Sequence, residues 1–558
     1  MKILDLNRYA LGICAGIAIL AGCNSGGSQL APTGSMPQSA AIPQQNWTAR
    51  KYYVDCSERK NGKGTLRSPF NTLLSINALK LAAGDEVLFK RGRTCYGELD
   101  PLGSGSSAAS IVVDAYGVGR QPVIDQKADP THDEAVLLND QEYWDIRDLE
   151  IKGGYSFGIL VHGNTANRHL HHFHFINLNL HGTHYATTSA FDSGEIYFEL
   201  HAAHEVATDV LIDGVTAHDS PGSVGIWAAA EGAFTKAVEG CKRNPTPPLG
   251  SDVVVQNSTV YNVDGPGIVM LFVNNGLMQD NVAYDTGGPH GSSGANGIWE
   301  FCTHTLTVQN NESYRHHTST PYDGGDFDID GYNNDNVVQY NYGHDADGYC
   351  IGTVGDPVAP DTNNIVRYNI CSNNARNSTI APQGEISCTG GPGVTGWKVY
   401  NNTISFNPAN PSAAFIILGD KHLRNGLIKN NIIFSSAPEM MQITASNFTL
   451  DNNIYWTTSG SQPSWQWNGV TYTGLGAFQA GSGQDAHSFN TDPVLLHPTY
   501  HGSSRPKSAF TLKPGSPARG TGANVCKGVR GCSMGTRDFF GNPLPRGSGY
   551  DIGADQAP

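Results

Sequence analysis

Four aspartates, Asp323, Asp326, Asp328 and Asp330, crowd one short segment, and His344, Asp345 and Asp347 follow soon after. Residues 251 to 350 hold 13 Asp or Glu but a single Arg, Arg315, and no Lys. That balance separates two chemistries. Hydrolysing a glycosidic bond takes two carboxyl groups, one as acid and one as base or nucleophile. Elimination beside a uronate takes a Lys or Arg as base and usually calcium on the sugar carboxylate. If DFDID is a strand, alternation points Phe327 and Ile329 to one face and Asp326, Asp328 and Asp330 to the other. Like charges on one face repel, which implies a substrate or a cation. D-x-D-x-D-G at Asp326 to Gly331 fits the opening of a calcium loop, but the twelfth position needs a Glu and is Val337. Calcium held by the same three carboxylates in another geometry is the metal reading.

Glu300, in GIWEF, precedes Asp330 by one 30-residue step. Stacked on neighbouring turns, the two would form the carboxyl pair, so Glu300, Asp328 and Asp330 are the expected acid, base or nucleophile. A slip of one residue would turn Glu300 inward and Trp299 outward. Trp299 and Trp227 are the expected sugar platforms, Arg315 a substrate-binding group, and Tyr314, His316 and His344 the groups that orient substrate or move protons. In the elimination reading, Arg315 or a His is the base. The run RHLHHFHFINLNLHGTH carries His169, His171, His172, His174, His181 and His184, with Asp192, Glu195 and Glu199 nearby. Stacked or surface imidazoles are the reading there, with metal ligation as the alternative. The Pro-rich CKRNPTPPLG at 241 to 250 is a candidate groove wall.

A short repeat must position these groups. It reads VVVQNSTVYN, LMQDNVAYD, TVQNNESYR, VVQYNYGHD, IVRYNICSN, KVYNNTISF, LIKNNIIFS and TLDNNIYWT. Asn281, Asn311, Asn341, Asn369, Asn402, Asn431 and Asn453 fall at one position, with steps of 30, 30, 28, 33, 29 and 22 residues. Each unit carries a second short strand, such as GIVML, GIWEF or AFIIL. Short strands, tight polar turns and stacked units predict an all-β parallel β-helix. In such a coil equivalent residues stack about 4.8 Å apart, and a side-chain amide can bond the turns above and below. Each repeated Asn is therefore read as structural, and the many bends are assigned to the 66 glycines.

Three stretches carry a resemblance to a known family: YYVDCSERKNGKGTLRSPFNTL with AGDEVLFKRG, then GIWEF through DGGDFDIDG to QYNYGHDADGY, then RDFFGNPLPRGSGYDIGADQ. Over Tyr52 to Gln556 the chain resembles the right-handed parallel β-helix proteins of the pectin-lyase-like superfamily, in particular secreted bacterial members acting on polysaccharides. That family holds hydrolases, lyases, epimerases and binders. The RIK and GHG motifs of polygalacturonases and the WIDH of pectate lyases are absent, so the resemblance implies a fold and a substrate class but assigns no catalytic residue. In the first stretch, Asn71 is the expected cap of a short helix, TLLSINALKLAA, whose Leu73, Leu74, Ile76 and Leu79 cover the open end of the coil.

Composition agrees. Of 558 residues 39% are apolar and 15% charged, and the net charge is -15, which excludes a disordered chain and a basic nucleic-acid binder. Tyr9 to Ala21 is too short to span a bilayer. Lys2 and Arg8, the run LGICAGIAIL and Leu20-Ala21-Gly22-Cys23 resemble a bacterial lipoprotein signal. The resemblance implies cleavage before Cys23, a lipid on that thiol and, with Asn24 next, the outer membrane. The expected organisation is a signal at 1-22, a lipidated tether at 23-49, a β-helix at 50-480 and a tail packed on it at 481-558. In an exported chain disulfides persist, and Cys56 with Cys95 and Cys526 with Cys532 are the expected pairs. An odd cysteine is left over. The expectation is a monomeric, lipid-anchored enzyme cleaving a polysaccharide in a groove along the coil, with paired carboxylates. A calcium-assisted lyase and a non-catalytic glycan-binding or adhesive protein are the alternatives.

Overall fold

In the computed structural model, the described residues are 48-183, 191-200, 205-228, 249-288, 295-320, 323-354, 361-377, 379, 383-389, 393-418, 423-444, 447-498, 507-547 and 549-557. Residues 1-47, Cys23 among them, His184, and residues 241-248 of the Pro-rich segment with Cys241 lie outside them.

The repeated units coil. Among the described residues, three long sheets each take one strand from every turn. The first runs from Lys51–Val54 to Thr449–Asp451, the second from Thr94–Tyr96 to Phe489–Asn490, and the third from Glu134–Asn139 to Val470–Thr473. Neighbouring strands are parallel throughout, apart from a final hairpin on the third sheet. Its Asn468 and Gly469 both have positive φ, as a two-residue hairpin turn demands. This is a parallel β-helix.

Like residues stack inside it. On the third sheet Ile159, Ile196, Ile226, Ile268, Ile298, Phe327, Ile351, Ile386 and Phe415 pair in succession, all essentially fully buried. Burying each such side chain stabilises by about 1.5 to 3 kcal/mol. At the bend from the first to the second sheet the asparagines form a continuous ladder. The Asn341 amide donates to Val308 O at 2.9 Å and Asn369 Oδ1 at 3.1 Å. Its own Oδ1 accepts the Asn311 backbone N–H at 3.0 Å. No water reaches this bend, since Asn311, Asn341 and Asn369 are 0% exposed, so the amides must satisfy its backbone. Glycine does not make this turn. The residue before each ladder Asn carries the positive φ, at Asp280, Asn310, Tyr340, Tyr368, Asn401, Asn430 and Asn452. Asn and Asp adopt that conformation more readily than most residues.

The amino-terminal cap is smaller than its sequence suggests. The helix is one turn, Leu74–Asn77. Ile76 and Leu73 plug the core, while Leu74 is exposed. Asn71 does not cap it; its amide instead donates to Glu58 O at 3.0 Å. At the other end the helix Leu475–Ser482 places Phe478 flat against Trp465. The tail packs Leu495, Phe510, Leu512 and Ile552 on Tyr342, Ile370, Ile432 and Ile454, which face outward from the second sheet. Disulfides join Cys56 to Cys95, Cys350 to Cys371 and Cys526 to Cys532; Cys388 is free and buried.

Candidate functional site

The outer face of the third sheet changes character along the coil. Leu160, Tyr197, Trp227, Val269, Trp299, Asp328, Gly352 and Ser387 pair in that order, and none of their side chains joins the core. The first five belong to an outer apolar cluster. The Tyr197 and Trp227 rings stack at 5.4 Å, and Phe191 lies 5.9 Å from Trp299. Trp227 and Trp299 do point out of the coil, but they are 0% and 2% exposed. Their faces are taken up by packing, so neither is an open sugar platform.

Asp328 comes next, where the apolar ridge ends. Its strand, Phe327–Asp330, is the predicted one: Phe327 and Ile329 enter the core, Asp328 points out and Asp330 is part-exposed. The Asn296 amide donates to Asp328 Oδ2 at 2.8 Å, and Asn296 Oδ1 accepts the Gly325 N–H at 2.8 Å, which fixes that amide. The Tyr349 ring lies over the sheet where Gly325 and Gly352 leave room, against the Asp328 carboxyl. Burial first, and then the charges of Asp330 and Asp323, push Asp328 well above the usual carboxylate range. Asp330, two residues on, is about 7 Å away along the strand. The arrangement offers a carboxyl pushed toward its protonated form beside a more exposed one on the same face, the division of labour that acid and base catalysis requires.

Several expected site residues lie elsewhere. Glu300 pairs with Ile329, not Asp330, and with Met270 on its other side. It is inside the coil and 0% exposed, with the Asn336 amide donating to Oε1 at 3.3 Å. Burial pushes its pKa up to about 8, against that hydrogen bond. The expected Glu300–Asp330 pair therefore does not form, because the register is shifted by one residue. Asp326 is also interior. Its carboxyl reaches the space above Gly343 and lies 3.6 Å from His316 Nε2. His316 bonds Thr286 at 2.7 Å and Ser313 at 2.8 Å and is 0% exposed. Burial drives the Asp326 carboxyl well up and the His316 imidazole well down, which favours the neutral form of each. With Asp326 inside and Asp328 outside, the three aspartates cannot converge on one calcium ion.

Tyr314, Arg315 and His344 occupy the outer face of the second sheet. There His181, His218, Tyr261, Tyr284, Tyr314 and His344 stack with ring centroids 4.7 to 5.0 Å apart. Rings stacked on one another leave no face for a sugar. Arg315 makes two 2.7 Å hydrogen bonds to Asp285 and covers Tyr314 at 4.7 Å. His344 bonds Asp345 at 2.7 Å and reaches Glu312 at 3.4 Å. Burial opposes its charge, but these two carboxylates outweigh burial and raise its pKa. Sequence reasoning missed Asn296, Tyr349 and Gly352. No spacing signals them, since they meet Asp328 only across neighbouring turns.

No protein-family description matches the chain, and neither does any curated protein. Solved structures do. The GH136 lacto-N-biosidase of Eubacterium ramulus is 18% identical, covers 69% of this chain and 64% of its own length, and superposes with a TM-score of 0.47. Pectate lyase Pel9A is 15% identical over 92% of this chain and 97% of its own, with a TM-score of 0.42. The mannuronan C-5 epimerase AlgE4 A-module of Azotobacter vinelandii is 13% identical over 71% and 99%, with a TM-score of 0.37. At these identities and TM-scores the parallel β-helix rests on the strand pairing of this chain itself, and the chain spans about two thirds of the length of the lacto-N-biosidase.

Proposed function

We propose that this chain is an exported enzyme, anchored by a lipid on Cys23, that hydrolyses glycosidic bonds of a neutral polysaccharide with Asp328 as acid and Asp330 as base or nucleophile. One observation carries the reading: Asp328 is an outward-facing, buried carboxyl, held by Asn296, with a second carboxyl two residues along the same face. Protonated Asp328 gives its proton to the leaving glycosidic oxygen as the bond to the anomeric carbon breaks. Asp330 takes a proton from the attacking water, or attacks first and is released by water. Asn296 fixes the acid's orientation.

Hydrolysis is favoured over elimination because, of the expected bases, Arg315 is on another sheet and held by Asp285, His316 is sealed inside the coil and His344 is bonded to Asp345 on the second sheet. A neutral substrate is favoured because no described strand of the third sheet contains Lys or Arg, and the carboxylates of Asp323 and Asp330 would repel uronates. The test is a panel of neutral and uronate polysaccharides, scored for reducing ends and for unsaturated products. Asp328→Asn and Asp330→Asn should each lower kcat at least about a hundredfold. Unsaturated products, or near wild-type turnover by both variants, would overturn the reading. Labelling with a radioactive fatty acid tests the anchor, since incorporation that survives Cys23→Ala is incompatible with it.

A further inference from the structure

On the outer face of the first sheet, the His-rich run and its neighbouring turns form a second polar cluster, away from Asp328. His174, in the strand His169–Ile176, pairs directly with Asp145 of the strand Trp144–Arg147. On the opposite side the pairing passes from His171 with Thr208 to Phe173 with Val210. It skips His172 and Asp209, which both take positive φ. This shared bulge turns His172 onto the same outer face as His174, and the two rings lie with centroids 3.8 Å apart. A groove of about 470 Å³ opens beside them, lined also by Ser110 and Tyr143.

All four ring nitrogens face carboxylate oxygens. His172 Nε2 and His174 Nδ1 lie 3.2 and 3.3 Å from one atom, Asp145 Oδ1. The far nitrogens, His172 Nδ1 and His174 Nε2, lie 2.8 and 3.2 Å from the two oxygens of Asp209. Ser110 donates to the other Asp145 oxygen at 2.5 Å. Filling all four contacts with protons makes both rings cationic at van der Waals distance, each aiming a proton at the same oxygen. One cation at that point removes the conflict.

We propose that Asp145 Oδ1, His172 Nε2 and His174 Nδ1 bind a divalent transition-metal ion of the zinc class, with a fourth position open to the groove. One ligand atom from each of the three residues lies within 4.8 Å of the other two. Metal bonds of 2.0 to 2.1 Å in a tetrahedron give ligand separations of about 3.3 to 3.4 Å, which the Asp145 contacts match. Asp209 then accepts the remote N–H of both imidazoles and Ser110 orients Asp145, the outer support that metal-bound His and carboxylate groups require. Two imidazoles and one carboxylate with an open position suit zinc or ferrous iron rather than calcium, which takes oxygen ligands.

The test uses the full chain in detergent, without a histidine tag, stripped by a chelator and titrated with Zn²⁺ by calorimetry and with Co²⁺ by visible absorption. One ion per chain should bind with release of protons, seen as a buffer-dependent heat. His172→Ala and His174→Ala should abolish the saturable signal, and Asp209→Asn should weaken it ten- to a hundredfold. His169→Ala should leave it intact. Should His172→Ala fail to fold, Asp145→Asn carries the same test. No saturable binding, or equal affinity in the His172, His174 or Asp145 variants, would overturn the site. Neither result bears on Asp328 and Asp330.

Discussion

Replacing Glu300 by Gln tests the register of the third sheet more sharply than any change at the exposed carboxylates. Inside the coil the folded protein holds this carboxyl at about 8, against 4.5 for an unperturbed Glu. Between those values the folded chain keeps a proton that the unfolded chain has released. Stability therefore falls as pH rises, by about 1.4 kcal/mol per unit. The contribution is intact below pH ~4.5, down by roughly 3 kcal/mol at pH 7, and fully lost above pH ~8. Gln fixes the group in its neutral form and can still accept from Asn336. Glu300→Gln should thus match the wild type near pH 4.5 and exceed it by about 3 kcal/mol at pH 7. Urea or thermal unfolding of both proteins across pH 4.5 to 8 measures this, and taking the difference cancels the other buried acids. Turnover should be unchanged. A hundredfold loss of turnover in a folded Glu300→Gln protein, or parallel pH profiles for the two proteins, would refute the interior placement and restore Glu300 to the catalytic face.

Three further outcomes are expected. Asn341→Ala takes away the acceptor of the Asn311 N–H and a donor to the Val308 carbonyl in a buried bend, at about 1 to 3 kcal/mol for the stranded N–H, so calorimetry should show a clear fall in Tm. Gly352→Ala places a methyl group 2.4 Å from the Tyr349 ring and 3.0 Å from Asp328 Oδ1; it should lower kcat by about a hundredfold, as small misplacements of reacting groups do, with circular dichroism unchanged. Cys371→Ser opens the loop that the Cys350 disulfide closes across a separation of 21 residues, and should cost about 3 kcal/mol in the chain-entropy model, read as a lower denaturant midpoint in non-reducing buffer.

The coil was legible because one physical need recurs on every turn. A sealed bend must satisfy its own backbone, so Asn281 through Asn453 stand out in the sequence and mark the period. The inward placement of Phe327 and Ile329 also followed, since alternation along a strand is local. The one-turn plug at Leu74–Asn77 did not, because a helix packed on the mouth of a coil is trimmed by what it covers. The metal-type cluster was half visible. The run of histidines is plain, but its carboxylates are not the nearby Asp192, Glu195 or Glu199; they are Asp145 and Asp209, delivered by the turns on either side.

Glu300 shows where sequence stopped. Its 30-residue distance from Asp330 equals the true period at the asparagine ladder, so the pairing looked secure. Yet from Tyr284 to Ile298 there are 14 steps, and from Tyr314 to Phe327, the equivalent pair one turn later, only 13. The connection after the strand restores the count, with 9 steps from Ile298 to Thr307 and 10 from Phe327 to Val337. One residue moved across a strand leaves the period intact and reverses which face each side chain takes. Sequence alone determined the architecture, the period and the segment rich in acid, because those follow from repeated local rules. Which carboxyl faces the substrate and which is sealed in the core was decided by tertiary structure, because it depends on loop lengths that cancel within a turn and on contacts made only between turns.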